Sequence, residues 1–488
     1  MKPRKRVVIA GGGVTGLVAA YHLREKAVEA GLDIECIVLE KDVRLGGKIV
    51  TEQQDGFLFE GGPDCFVREK PSVVALCERI GIADRLLASN DSSTGTFVLN
   101  NGKLHALPDG MMLLVPTKMV PFALSPLISL PGKLRMGMDL LLPRRKSSTD
   151  ESLASFVRRR LGQEALDKIG DPLIGGIHGN NPETMSLLAS FPRLLKMEQD
   201  HRSLIIAMLA ARRRAPKPPT TSTGATRKTY FMSFKGGMAD LINGLVAALG
   251  SVSLRTGTAV TGIEKGVAGY RVHMDAGETI DADAVVVATP AWDASSLLRG
   301  LDATIAGKLS EIPQASSATV NLVFRRADVP GPLASFGFVI SAAEKRLINA
   351  LTFSSVKWQS RVPDERYVSV RTFVGGSRNQ DLAMRSDDEL VRIARDELAS
   401  ILGISGEPVH SRVHHWINAR PQYVLGHTDR VAAIEERLAT LFPGLALAGA
   451  SYRGVGVPDC INDGIRAAER IYGYFDGSSF PTHTATGN

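Results

Sequence analysis

Cysteine is scarce in this chain. Its 488 residues hold four, Cys36, Cys65, Cys77 and Cys460, and no two form a C-x-x-C pair. That pattern excludes a disulfide scaffold, a zinc ribbon and a dithiol redox centre, and a reducing compartment is the simplest setting. Aromatic residues make up only 6%, and no nucleic-acid recognition motif accompanies the Lys/Arg clusters, so nucleic acid is not an expected partner. No run of 18 apolar residues occurs, which excludes a bilayer-spanning helix. The opening Met1-Lys-Pro-Arg-Lys-Arg6 carries the basic charge of a secretion signal, but the apolar run behind it is only Val7 to Ala10, too short for a signal core. Neither a Ser-His-Asp set nor a metal-spaced histidine cluster is found.

Acid is also missing locally. Between Gly110 and Thr149 six Lys/Arg face one acid, Asp139, and between His201 and Ala239 eight Lys/Arg face none. These stretches carry +5 and +8, while the chain totals +7, so the remainder is acidic at −6. Two basic patches on an acidic protein point to an anionic partner or to solvated surface charge.

What is present suits a globular protein: 44% apolar residues, 22% charged, 48 Gly and 25 Pro. This excludes disordered, collagen-like and coiled-coil chains and leaves two or three domains as the expectation. Residues 5–9 read as a buried strand, 11–16 as a glycine turn, 17–30 as a helix and 34–40 as a second strand, a βαβ start that implies an α/β fold. Pro116, Pro121, Pro126 and Pro131 break the apolar stretch at 110–145 into short helices. A helix is expected at 203–211 and a Pro/Thr/Ser loop at 215–224. Strands are expected at 252–255, 270–274, 284–288, 319–324 and 366–371. A helix at 387–402 follows, then a strand at 445–448, a Gly-rich loop and a helix at 460–474.

Gly11-Gly-Gly-Val-Thr-Gly16 fits G-x-G-x-x-G. The first Gly allows the tight turn, the second lets backbone approach a pyrophosphate, and the third lets helix and strand pack closely. Glu40 ends the next strand, 24 residues after Gly16, where a carboxylate would accept hydrogen bonds from an adenosine ribose. Arg44-Leu-Gly-Gly-Lys48 and Phe59-Glu-Gly-Gly-Pro-Asp64 follow. Repeated Gly pairs suit a bulky flavin that needs close backbone approach at several points.

These motifs resemble the FAD-dependent amine oxidase, carotene desaturase and porphyrinogen oxidase superfamily. Gly449-Ala-Ser-Tyr-Arg-Gly-Val-Gly-Val-Pro-Asp-Cys-Ile461 and Pro421-Gln-Tyr-Val-Leu-Gly-His427 narrow the resemblance to the porphyrinogen oxidases of haem synthesis. It covers the whole chain and is loosest between about 95 and 230. The resemblance implies FAD contacts at Gly11, Gly12, Gly13, Val14, Thr15, Gly16, Glu40, Lys41, Gly47, Lys48, Gly62, Pro63, Asp64 and Cys65. It adds Val260 near the adenosine, Trp416 near the flavin, and Val455, Gly456 and Val457 at its pyrimidine end. The loop Gly449-Ala-Ser-Tyr452 lacks the cysteine that bonds flavin in monoamine oxidases, so non-covalent FAD is implied.

The implied architecture is α/β: a Rossmann-like FAD-binding domain, a mixed-sheet substrate domain and an inserted helical domain. Residues 1–66, 213–295 and 413–488 are expected in the first, 67–90 and 296–412 in the second, and 91–212 in the third. The implied reaction is the six-electron oxidation of coproporphyrinogen III to coproporphyrin III by O2 with release of H2O2. Protoporphyrinogen IX oxidation is the alternative, and another flavin amine oxidase or desaturase, or a non-catalytic tetrapyrrole carrier, is a further one. A mitochondrial propionate-binding Arg is replaced by Thr96, which favours the four-propionate substrate and a different anchor. Lys70 is the candidate, with Arg68 and Lys357 behind it, while Trp358 and Ile174 are candidates for flanking the macrocycle. A cytoplasmic enzyme with peripheral contact to an anionic membrane, passing product to a haem-pathway partner, completes the expectation.

Overall fold

A computed structural model describes residues 4–90, 95–108, 111, 112, 114–116, 118–147, 149–214, 230–333 and 335–477. The loop expected at 215–224 lies outside them.

Five parallel strands form the first sheet, in the order Ser253–Arg255, Ile34–Leu39, Lys5–Ala10, Ala284–Val287 and Leu445–Leu447. Its central strands are apolar through Val7–Ala10, Cys36–Leu39 and Ala284–Val287 because both faces are covered there. Val7 and Ile9 pack with helices Val14–Ala30, Ala239–Leu249 and Val457–Asp476. Val8 and Ala10 pack on the opposite side with helices Ala291–Leu298 and His427–Leu441 and the small antiparallel sheet of residues 260–282. The two-residue period of one strand thus separates two cores.

The second sheet is mixed and seven-stranded. Its order is His410–Pro421, Gln314–Arg325, Tyr367–Gly375, Ile348–Phe353, Ser335–Ile340, Gly95–Asn100 and Lys103–Ala106. Leu99, Phe338 and Ile340 face helix Asp387–Leu402, while Val98 and Val339 face the helical region. Residues 95–106 are a hairpin on this sheet. Residues 95–106, expected within the helical insert, thus pair in this sheet, where alternating burial at Val98 and Leu99 suits a two-faced strand.

The prolines break the region after 110 as expected, into Met119–Leu124 and Leu130–Gly137, with Pro131 at a helix start. Helices Leu153–Arg160, Pro192–His201 and Leu204–Arg214 follow, with two π-helical stretches, Leu166–Gly170 and Ile174–His178. Asp139, the one acid among the first basic cluster, is fully buried. It accepts from Arg160 Nε at 2.7 Å, Ser203 Oγ at 2.6 Å and the Ile205 N–H at 3.0 Å. Its charge is spent inside, so the cations outside are not offset by it. Among the described residues no helix is long and apolar enough to cross a membrane.

Candidate functional site

The three motif glycines meet three different surroundings. A Cβ on Gly11, where φ is +110°, would lie 2.8 Å from the Ala288 carbonyl oxygen, and one on Gly16 would lie 2.0 Å from the Gly11 carbonyl oxygen. Turn and packing demand both glycines. A Cβ on Gly13 would meet nothing nearer than the Gly47 Cα, at 4.0 Å. Gly13 is also the N-cap of helix Val14–Ala30 and caps it with no side chain. First-turn N–H groups and the positive helix end, beginning at Val14 and Thr15, are left for an anion.

Glu40 is buried and braces the turn. Its Oε2 accepts from the Gly12 N–H at 2.7 Å and its Oε1 from the Asp42 N–H at 3.0 Å. Each oxygen keeps a further lone pair for a ribose hydroxyl. Thr258 donates its N–H to the Glu40 carbonyl at 2.9 Å, which brings the segment leading to Val260 beside it. Lys41 points outward, 3.4 Å from Asp293 and over the Trp292 ring.

The Gly pairs interlock backbone to backbone. Gly46 donates to the Gly12 carbonyl at 2.8 Å, and a Cβ on Gly62 would lie 1.7 Å from the Lys48 carbonyl oxygen. The Gly61 carbonyl accepts from Thr319 Oγ1 at 2.8 Å, Trp416 Nε1 at 2.9 Å and Arg371 at 3.2 Å. Trp416 thus pins the Gly61-Gly62-Pro63 loop by its indole N–H.

Asp64 follows in the same loop. Lys357 Nζ lies 2.9 Å and Trp358 Nε1 3.0 Å from its Oδ2, and Arg371 lies 3.7 Å from its Oδ1. Burial pushes this carboxyl up, but the Lys357 and Arg371 cations and the two hydrogen bonds outweigh it and hold the group well below the usual carboxylate range. Lys357 also sits 3.2 Å from Cys65 Sγ, a thiol that burial, with Asp64 beside it, pushes up to about 12. Lys357 and Trp358 are buried and committed to this loop. Ile174 is packed in the helical core as the first residue of the second π-helical stretch, and Arg68 is exposed. Lys70 is half-exposed and reaches Asp459 Oδ1 at 2.5 Å, in the first turn of the last helix.

That helix opens at Gly456, its N-cap, and Val457, with Val455 exposed just before it. Tyr423 secures the preceding loop: its hydroxyl donates to the Ala450 carbonyl and accepts from the Gly454 N–H, both at 2.7 Å. Asp463 accepts from the Gly449 N–H at 2.8 Å and from Arg453 at 2.7 Å. His427 bonds the Tyr452 carbonyl at 2.9 Å; burial lowers its pKa to about 4, so it donates from a neutral ring.

Sequence reading missed the roles of Arg371, Tyr423 and Asp463. Tyr423 and Asp463 lie inside or beside recognisable motifs, whereas Arg371 stands alone on its strand with no local signal.

Gly11, Gly13, Val14, Gly47, Lys48, Gly62 to Cys65, Val260, Trp416, Arg453 and Gly456 all stay partly exposed although they come from the middle of the fold. They extend from the glycine turn to the start of the last helix, a spread that suits an elongated dinucleotide.

Comparison with known proteins agrees. The sequence profile of flavin-containing amine oxidoreductases matches residues 14–472. The chain is 35% identical to the coproporphyrinogen III oxidase of Bacillus subtilis, over 96% of this chain and 98% of that one. It is 33% identical to the protoporphyrinogen oxidase of Bos taurus, again over 96% and 98%. A crystal structure from Exiguobacterium sp., described as a candidate protoporphyrinogen oxidase, superposes with a TM-score of 0.84 at 31% identity, covering 97% of this chain and 99% of that one. Motif glycines, parallel sheet and full-length likeness lead to one assignment: the chain belongs to the flavin-containing amine oxidoreductase family.

Proposed function

We propose that this chain oxidises coproporphyrinogen III to coproporphyrin III in haem biosynthesis, with three O2 reduced to three H2O2. The observation that carries this reading is the full-length likeness to a coproporphyrinogen III oxidase at 35% identity. Bound FAD would supply the hydride acceptor for each of three two-electron steps. The chain binds and orients. Gly13 and the helix behind it would hold the pyrophosphate, Glu40 the ribose, and the Gly61–Cys65 loop, pinned by Trp416 and Arg371, the ring end. Lys70, which pairs with Asp459 in the first turn of the last helix, would anchor a substrate carboxylate once it releases Asp459. The division of labour follows the two sheets. FAD binding uses 1–66, 213–295 and 413–488, substrate binding 67–106 and 296–412, and a helical insert 107–212.

The test is kcat/KM for coproporphyrinogen III and protoporphyrinogen IX under identical oxygen and detergent. A preference for the first supports the proposal. A preference for protoporphyrinogen, the reading favoured by the 33% identity to the bovine enzyme, overturns it. Lys70→Met is expected to raise KM for the porphyrinogen about ten-fold with little change in kcat.

The same proposal places the enzyme in the cytoplasm, resting on an anionic membrane and handing product to a haem-pathway partner. Val120, Leu124, Leu130, Leu134 and Leu141 are 67–79% exposed beside the exposed cations Lys118, Arg144 and Lys146. Apolar side chains among cations suit interfacial binding at about 1 kcal/mol per basic residue. Flotation with anionic vesicles at low salt, lost in high salt and in Leu124→Glu/Leu134→Glu, is the expected result; absence of flotation at low salt overturns the membrane reading.

A further inference from the structure

Strand His410–Pro421 does not pair evenly with its neighbour, Gln314–Arg325. The ladder matches Trp416 with Ser317 and Arg420 with Ala315, so Ile417, Asn418 and Ala419 stand against Ser316 alone. This is a β-bulge, which bends a strand and takes backbone groups out of the ladder. Asn418 makes the bend in the left-handed region, at φ +47°, which Asn adopts more readily than most residues. Its N–H donates to Ser316 Oγ at 3.0 Å. The bulge leaves the Asn418 and Ala419 carbonyls to accept from outside the sheet.

Both find side-chain donors. Trp292 Nε1 donates to the Asn418 carbonyl at 3.1 Å, and Lys48 Nζ donates to the Ala419 carbonyl. Trp416, just before the bulge, donates to the Gly61 carbonyl at 2.9 Å. Residues 416–419 are thus tied to the Gly47-Lys48 pair, to the Gly61-Gly62 pair and to the helix Ala291–Leu298 that follows strand Ala284–Val287.

The turn into that helix touches the glycine motif. The Ala288 carbonyl lies against Gly11, and the hydroxyl of the next residue, Thr289 Oγ1, is buried with no hydrogen-bond partner among the described residues. A buried hydroxyl left unpaired beside the glycine turn suits a bound group that would satisfy it. The Ala291 N–H is held by Ser451 Oγ at 3.0 Å. Trp292 comes next and is 40% exposed, with the ammonium of Lys41, the neighbour of Glu40, 5.3 Å from its ring centre. The indole therefore reaches from the Gly11 and Glu40 side of the fold to the bulge. Its single donor is spent on a carbonyl of the chain, so its part is to hold two segments together rather than to hydrogen-bond a ligand.

We propose that Trp292 and the bulge at Asn418 form a clasp across the path of the dinucleotide, which must open for FAD to enter or leave. The inference rests on FAD binding by this family and not on which porphyrinogen is oxidised.

The experiment follows FAD itself, starting from the FAD-loaded enzyme with no porphyrinogen present. Release is timed by the flavin fluorescence recovered on dilution, and Kd is read from the final level over a dilution series. Trp292→Phe keeps an aromatic ring and removes the donor. It is expected to speed release about five-fold, the effect of one ordinary hydrogen bond on an opening equilibrium, while Kd stays within about two-fold because entry is speeded as well. Asn418→Val, which resists the left-handed conformation, is expected to act the same way from the acceptor side, and Asn418→Gly, which adopts it freely, to keep the wild-type rate. Should one disruptive variant fail to fold, the other carries the test alone. Unchanged release from an FAD-loaded disruptive variant overturns the proposal. Faster release with Kd raised in proportion also overturns it, since Trp292 would then be an ordinary binding contact and not a clasp.

Discussion

A single added methyl group distinguishes the two duties of the glycine turn. At Gly13 it meets only the Gly47 Cα, at an ordinary contact distance of 4.0 Å, so Gly13→Val is expected to fold with a near-native melting temperature and to carry no FAD, read as the flavin absorbance per protein. At Gly16 it meets the Gly11 carbonyl at 2.0 Å, so Gly16→Ala is expected to lose about 1–3 kcal/mol or more from overpacking. The difference was legible in the motif, because each glycine position has its own geometric duty. Asp64 makes a different point. Asp64→Asn leaves Lys357 and Arg371 buried without their carboxylate, and breaking such a pair costs about 3–5 kcal/mol. Denaturant unfolding at neutral pH checks this. Its native pKa is depressed, so the stabilisation is present above the ordinary Asp range and is lost as pH falls through the native value. That Asp64 closes the Gly61-Gly62-Pro63 turn was legible. That Lys357 and Trp358, almost three hundred residues on, clamp it was not, since only the folded sheet brings them together.

Elements with a strong local signal were read closely. The helix expected at 387–402 spans those residues because Ser386 caps it and Glu389 closes the capping box. The first helix begins at Val14 rather than Leu17: Gly16 lies inside it, where its missing side chain lets the helix sit on the turn. The last helix runs from Val457, not Cys460, since Pro458 fits the first helical turn. The two π-helical stretches left no mark in the sequence, because widening a turn by one residue barely alters apolar spacing. Tyr423 shows how one strand end controls a loop. Tyr423→Phe removes a donor from Ala450 and an acceptor from Gly454. It is expected to cost about 1–3 kcal/mol and to speed FAD release, measured as flavin fluorescence recovered on dilution.

Across the whole molecule, buried titratable groups oppose one another. Burial lowers His427 and His22 to about 4, the latter with help from Arg79. Both take up protons more readily when unfolded, so stability should fall as pH drops from about 6.5 to 4. Burial raises Glu60 to about 7, against the Met238 N–H and Arg361. Its raised value favours the fold in acid, and that share is lost as pH rises from the ordinary Glu range through 7. Melting temperature should therefore peak near pH 6–7, and His427→Gln should flatten the acid limb while Glu60→Gln flattens the rise side. The α/β fold class was legible from the βαβ start. The hairpin at 95–106 was missed because its partner strand, Ser335–Ile340, lies over two hundred residues away. The parallel sheet has a consequence for how the protein is made. Its outer strand Leu445–Leu447 and the helix Val457–Asp476, which completes the cleft, are among the last described residues to leave the ribosome. A nascent chain that has reached residue 440 holds the glycine turn and Glu40 but has no roof over the ring end. Cofactor loading is thus expected to wait until that helix has emerged, and a chain truncated before it is expected to be colourless and open to proteolysis.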